Sequence, residues 1–433
     1  MGKNIKIGLS RSRLFDFQNV VSFVGEVSKA FDLKELNKAL KMLSVKEPLI
    51  ASVICLDDES EAYLQPEKIQ PKIEVVEKDI DLFLKEQINN GIDFNECLFK
   101  FFVVNQNTLV ILSHTVVSDS KSLLMLAKEL LLFYNKESVD IEPVPIKLFS
   151  EESDLPVAVD SFVADRVTEV LDNNYLLKPK KFTYTDYNKA KEKFSEKYGD
   201  VNFCDYTLDA ELCEALKEKC VDFKVDFSSV VLFALAEALR LKEKPKKKLQ
   251  KINLLTDRRP FFIDRESYSV GCFNGNVSLD ATKSEGSLSE RVKSFHDSLY
   301  KKVCVCFNTF YSELFLSKLT PSFLDSCFMY KAGVYKNKHT QKLATLYGCE
   351  QQFLLSFESQ NLNQRFWENL STFHHIRVKE PHKSNFNVSF SLVQGKKTTL
   401  ISEWNSTRFS KGEIDSLVEN AIAVLRQLYP PKS

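Results

Sequence analysis

Apolar positions along the chain fall into two periods, one helical and one strand-like. In FDLKELNKALKMLSVKEPLIASVICL, Leu33, Leu36, Leu40 and Leu43 recur at helical spacing behind the capping pair Asp32 and Glu35, which predicts a helix over about 33–44. Pro48 closes it, and Leu49 to Leu56 reads as a strand. CLFKFFVV, the polar Asn105 to Asn107, and TLVILS then read as a hairpin of two buried strands. The next apolar face, Leu123, Leu124, Ala127, Leu130, Leu131 and Tyr134, belongs to a helix over Ser120 to Tyr134. A strand therefore runs through a short loop into a helix at residues 113–120.

Between about 140 and 180 the pattern fades around Pro143, Pro145, Pro156 and Pro179, and this stretch reads as a linker. Beyond it come a strand (VNFCDYTL), a helix (DAELCEALKEKC) and an apolar, buried helix from Phe227 to Leu241. Helices recur at 286–303 and, behind Ser410 and Glu413, at 411–428. FNVSFSLV puts Phe386, Val388, Phe390 and Leu392 on one strand face, with TTLISEW as hairpin partner. Mixed helix and strand order on both sides of the linker predicts two α/β lobes, residues 1–165 and 166–433, with no short-period repeat.

Composition narrows the function. The 433 residues balance 59 Lys and Arg against 59 Asp and Glu, which removes the electrostatic case for a nucleic-acid binder. Only 12 glycines occur, and no GxGxxG or GxxxxGK[ST] is present, so a phosphate cradle is not expected. The ten cysteines show no zinc-ligand spacing and fit a reduced compartment. MGKNIKIGLSRSR lacks a secretory h-region, and no window of about 18 apolar residues exists. A cytoplasmic protein without membrane attachment is the expectation.

The junction SHTVVSDS, Ser113 to Ser120, resembles the HHxxxDG signature of the condensation-domain and chloramphenicol-acetyltransferase-like acyltransferase superfamily. Three other stretches agree with it. KEPLIASV is similar to the segment after the family's opening helix. NLLTDRRPFFIDRESYSVGCFNGNVSL is similar to its second-lobe strand carrying Arg, followed by GxFxN. The closing strand pair with FSKGEIDSLVENAIAVLRQL is similar to its ending. The resemblance spans almost the whole chain. It implies two chloramphenicol-acetyltransferase-like lobes forming a V-shaped pseudo-dimer with a central tunnel for an acyl donor and an acceptor. In that family the second His is the general base, for which an imidazole pKa of about 6.5 is suited, and the Asp pairs with an Arg.

Aligned on the Asp, this chain reads His114, Thr115, Val116, Val117, Ser118, Asp119, Ser120. The general base of the resemblance is replaced by Thr115, whose hydroxyl is not basic near neutrality, and the Gly by Ser120. Catalytic candidates are His114, Thr115 and Asp119. Neighbours at a strand end face opposite ways, so His114 should point away from the Thr115 position and be held by a nearby backbone or carboxylate group. Asp119 has two readings that can hold together: an ion pair with Arg258 or Arg259 across the lobes, and a helix N-terminal cap. Asn276 and Ser118 are the expected substrate-binding positions, while Asn274 reads as Asn-Gly turn chemistry. His374 and His375 in STFHHIRVKEP lack the following Asp, with Lys379 and Glu380 in that region instead. The lysine-rich run Arg240 to Lys251 reads as a solvated loop, with a coenzyme A phosphate or an acidic carrier helix as the alternative.

The implied function is movement of an acyl group from a coenzyme A or carrier-protein thioester to a small hydroxyl or amine acceptor. The donor, acyl-CoA or a phosphopantetheinyl thioester, is a co-substrate rather than a bound cofactor. The competing reading is an inactive relative that binds an acyl-pantetheine ligand or recruits a partner protein. A monomer is expected in either case.

Overall fold

The computed structural model describes residues 4–58, 61–137, 140–148, 154–156, 162–242, 251–262, 270–280, 285–316, 318–346, 353–363, 365–383 and 385–429. The first part of the chain forms β1 (Ile5–Lys6), β2 (Val20–Val27), α1 (Leu33–Lys46), β3 (Val53–Leu56), β4 (Ala62–Gln65), β5 (Ile73–Val76), α2 (Ile80–Asn90), β6 (Phe99–Val104), β7 (Thr108–His114) and α3 (Ser120–Tyr134). Helix α1 starts where its cap predicts, because the Asp32 carboxylate accepts the Lys34 and Glu35 backbone N–H groups. Leu36, Ala39, Leu40 and Leu43 are buried along one side. The β6–β7 hairpin turns through Asn105 and Gln106, both left-handed at φ 49° and 66°, a conformation that matches the twist of the paired strands. Every residue of β7 is buried.

The stretch expected as a linker contains α4 (Phe162–Leu176), and α5 (Tyr184–Tyr198) follows it. This corrects the sequence reading. The prolines at 156 and 179 lie outside α4, and Leu171 and Tyr175, one helical turn apart, are both buried. Tyr175 stacks on Phe323 with ring centroids 4.4 Å apart. Helix α5 packs Tyr187 and Phe194 onto Phe17.

The remaining chain forms β8 (Val201–Thr207), α6 (Ala210–Phe223), α7 (Phe227–Lys242), β9 (Lys251–Asp257), β10 (Asn274–Asp280), α8 (Leu288–Val303), α9 (Cys306–Leu316), α10 (Pro321–Lys331), α11 (Lys338–Leu346), β11 (Phe353–Asn361), β12 (Phe373–Lys379), β13 (Ser389–Gln394), β14 (Thr398–Asn405) and α12 (Lys411–Leu428). A six-stranded sheet runs β10-β9-β11-β13-β14-β8. Its β13–β14 hairpin sets Leu392 opposite Leu400. The sheet packs on α7 and α12, whose Leu235, Leu239, Leu417 and Ala421 share one core with Val388, Phe390 and Leu392.

The other large sheet runs β12-β2-β7-β6-β5, with β7 at its centre. Its edge strand β12 comes from late in the chain and pairs antiparallel with β2, Arg377 opposite Val24. A small third sheet runs β1-β4-β3. The result is two α/β lobes, each with its own core, joined by a strand that crosses from one into the other. Among the described residues no helix is long and apolar enough to cross a membrane.

Candidate active site

Strand β7 ends at the sequence junction that carried the resemblance. His114 is fully buried. Its Nδ1 accepts the Val116 backbone N–H at 3.1 Å, its own backbone N–H donates to the Leu98 carbonyl, and Phe94 meets its ring edge-on. An Nδ1 that accepts puts the ring proton on Nε2, which has no hydrogen-bond partner. Burial pushes its pKa down to about 3, so the imidazole stays neutral. It holds the turn that follows β7.

Thr115 faces the other way. Its backbone N–H donates to the Asn19 carbonyl at 2.9 Å, while its side chain lines a cavity and its buried Oγ1 has no hydrogen-bond partner. Val116, Val117 and Ser118 then bury their side chains, and the Ser118 hydroxyl donates to the Asp119 carbonyl at 3.3 Å. Ser118, expected against substrate, therefore lies inside the turn and is not among the residues lining the cavity.

Both readings of Asp119 are present at once. It caps α3 by accepting the Ser122 N–H at 2.7 Å, and it accepts the Phe273 N–H at 2.8 Å. Arg259 reaches it from beyond β9 with two N–H groups, each at 3.1 Å. Burial raises the Asp119 pKa, but the Arg259 guanidinium and the backbone donors outweigh that and hold it below the ordinary value. Arg259 also donates to Asp257 and Ser122 and lies over the Phe273 ring at 4.4 Å. Arg258 points elsewhere, donating to the Phe273 carbonyl at 2.9 Å and lying 4.6 Å over Phe310. The ion pair expected for one of two arginines thus belongs to Arg259.

The cavity beside Thr115 measures about 460 Å³ and lies between the two halves of the chain. Ser12, Arg13, Asp16 and Thr115 form the first side; β9, β10 and helices α9 to α11 form much of the other. Its amide groups are Asn253, Asn274, Asn276, Asn308 and Asn385, and its apolar surface includes Leu316, Leu324, Phe328, Leu343 and Phe386. Asn276 is exposed, lines the cavity and accepts from Asn253 at 3.2 Å. Asn274 also lines the cavity, although the sequence placed it in a turn; its amide donates to Glu380 at 2.7 Å.

Glu380 is the group that the sequence did not single out. It follows β12 directly, is buried, and lines the cavity. Its Oε1 accepts the Ser120 backbone N–H and the Asn274 amide, both at 2.7 Å, so it sits on the N-terminus of α3. A second buried carboxyl, Glu358 on β11, accepts the Glu380 N–H at 2.7 Å and the Ser120 hydroxyl at 2.8 Å. Burial, then repulsion from Glu358 and Asp119, pushes the Glu380 pKa up to about 8; burial likewise raises Glu358. The only local signal was an acidic residue inside FLLSFESQ and another closing FHHIRVKE, because burial of this kind is decided by distant chain.

The remaining candidates lie apart. His374 and His375 on β12 pair with Glu26 and Asp205 and line a separate cavity of about 280 Å³. Most of the run Arg240 to Lys251, residues 243–250, lies outside the described residues. No metal-binding cluster of His, Cys, Asp or Glu occurs among the described residues.

No family model and no curated protein matches the sequence. Solved structures do match over the whole chain. The chain is similar to the EpoB cyclization-docking bidomain of a nonribosomal peptide synthetase from Sorangium cellulosum, at 15% identity and TM-score 0.64, covering 99% of this chain and 86% of that one. It is similar to the first condensation domain of the calcium-dependent antibiotic synthetase, at 10% identity and TM-score 0.63, covering 99% and 97%. It is also similar to polyketide synthase associated protein 5 from Mycobacterium tuberculosis, at 12% identity and TM-score 0.61, covering all of both chains. The chain therefore has the two-lobed condensation-domain fold.

Proposed function

We propose that this protein transfers an acyl group from a coenzyme A or carrier-protein thioester to a small hydroxyl or amine acceptor bound between its lobes. The observation that carries this reading is the cavity of about 460 Å³ at the end of β7, lined by Thr115 on one side and by groups of the other lobe opposite it. Its apolar residues suit an acyl chain and its asparagines suit the amides of a pantetheine arm. The Asp119–Arg259 pair holds the loop that presents Thr115, and the loop is fixed to the second lobe through it. Holding donor and acceptor in register supplies part of the rate by itself, most of all for an amine that arrives unprotonated.

The replacement of the signature's second His by Thr115 favours a second reading, in which the cavity binds an acyl-pantetheine ligand without turning it over or serves to recruit a partner protein. One experiment separates the two. Thiol release is followed from a panel of acyl-CoAs and phosphopantetheinyl thioesters, each with amine and alcohol acceptors. Acceptor-dependent release above the uncatalysed rate supports acyl transfer. Binding of the thioester without release supports the second reading.

A further inference from the structure

We propose that Glu380 is the general base of this site, occupying from the crossing strand the chemical place that Thr115 leaves empty. The inference rests on the acyl-transfer reading and names the group that would take the acceptor's proton. Glu380 lines the same cavity as Thr115 and is docked on the first turn of the helix that follows it. Only Oε1 is engaged, by Ser120 and Asn274; among the described residues nothing donates to Oε2. The carboxyl is thereby aimed and anchored through one oxygen with the other left for a ligand.

Two substitutions in the signature become intelligible together. The Ser120 hydroxyl, absent from the Gly of the resemblance, donates to Glu358, accepts from Gln360, and so ties the start of α3 to the Glu358–Glu380 pair. Other basic groups are engaged or excluded: Asp16 pairs with Lys383, His114 holds its turn, and His382 bonds Ser389 without lining the cavity.

The step balances without a further reactant. Glu380 Oε2 takes the proton of the acceptor O–H or N–H as that oxygen or nitrogen bonds to the thioester carbonyl carbon and the carbonyl π pair moves onto oxygen. Collapse re-forms the carbonyl and breaks the C–S bond, and the departing thiolate takes the proton back from Glu380. Ester or amide and free thiol leave, and Glu380 is again a carboxylate. The groups facing it are Glu358 on β11, Asp119 and Ser120 at the start of α3, Cys272 just before β10, Asn274 on β10 and Arg13 from the amino-terminal turn; Lys383 on its own segment lines the same cavity, and Lys379 acts on Glu358. The two acids raise its basicity above that of an ordinary carboxylate.

The test is steady-state thiol release by the full chain against pH, for the natural protein, Glu380→Gln, Glu380→Asp and the double variant Glu380→Gln with Thr115→His. The expected result is a rate limb in the natural protein that rises toward an apparent pKa near 8 and is absent in Glu380→Gln, whose kcat falls about 10²- to 10⁴-fold with little change in KM. Thr115→His then restores part of the lost rate, with a limb in the imidazole range; a purely structural role for Glu380 would give no such rescue. An active Glu380→Gln with the limb intact overturns the assignment while acyl transfer stands. A natural protein inactive with every donor and acceptor overturns both. Should Glu380→Gln fail to fold, Glu380→Asp decides: a reduced rate with the limb kept supports the base, and an unchanged rate overturns it.

Discussion

Arg259 closes on Asp119 with two N–H donors at 3.1 Å each, spanning 140 residues of sequence and joining the second lobe to the loop of the first. Both side chains are wholly removed from solvent. Truncating Arg259 leaves Asp119 as an uncompensated buried charge, whereas truncating Asp119 leaves Arg259, among the described residues, only the Asp257 carboxylate and strips the Ser122 and Phe273 N–H groups of their acceptor. Arg259→Ala and Asp119→Ala should each cost about 3 to 5 kcal/mol in urea unfolding, and the double variant less than the sum of the two. Arg259→Lys should recover little, because an ammonium cannot make the parallel two-oxygen contact.

Protonation of His114 should set part of the acid sensitivity of the fold. Its folded pKa, near 3, lies below the unfolded value of about 6.5, so the unfolded chain binds a proton in that window that the folded chain does not. The stability from burying it neutral is complete above about pH 6.5 and is lost as pH falls toward the folded value. Its share of the loss should be about 2 kcal/mol between about pH 6.5 and 5, measured by denaturant unfolding at each pH. His114→Asn, which keeps an acceptor but cannot charge, should flatten that slope.

Thr115→Val should raise stability by about 1 kcal/mol, because it removes a buried hydroxyl without a partner and keeps the shape of the side chain. Thermal unfolding of the ligand-free protein measures this directly. A loss of stability would mean that Oγ1 has a partner in the free protein.

Gly275 should not accept a side chain. A Cβ there would stand 2.7 Å from the Thr309 carbonyl oxygen and 2.8 Å from Arg258 Cδ, and neither the α9 backbone nor the buried Arg258 has room to retreat. Gly275→Ala should cost about 1 to 3 kcal/mol in the same unfolding assay.

Several helices were legible in sequence: α1, α3 and α12 carry their own caps or apolar faces and α7 is apolar nearly throughout, and local spacing and composition report both. So was the turn after β7, because a strand meeting a helix through HTVVSD is a local event. The choice between Arg258 and Arg259 was not, since adjacent residues differ only in which distant group they face. Helix α4 was hidden by the prolines that flank it. Glu380 was invisible for a further reason: its neighbours Glu358, Ser120 and Asn274 come from three separate elements, and only their convergence creates its environment.

The crossing strand has a consequence for how the protein is made. Strand β2 is synthesised early, but its partner β12 follows roughly 350 residues later, which at a ribosomal pace of about 5 to 20 residues per second leaves that edge unpaired for about 20 to 70 s. An uncovered edge of this kind invites pairing with other nascent chains. The first lobe can therefore begin folding on the ribosome but close its sheet only when most of the second has emerged, and release of truncated chains ending before Phe373 should yield aggregation rather than a half-sized folded product.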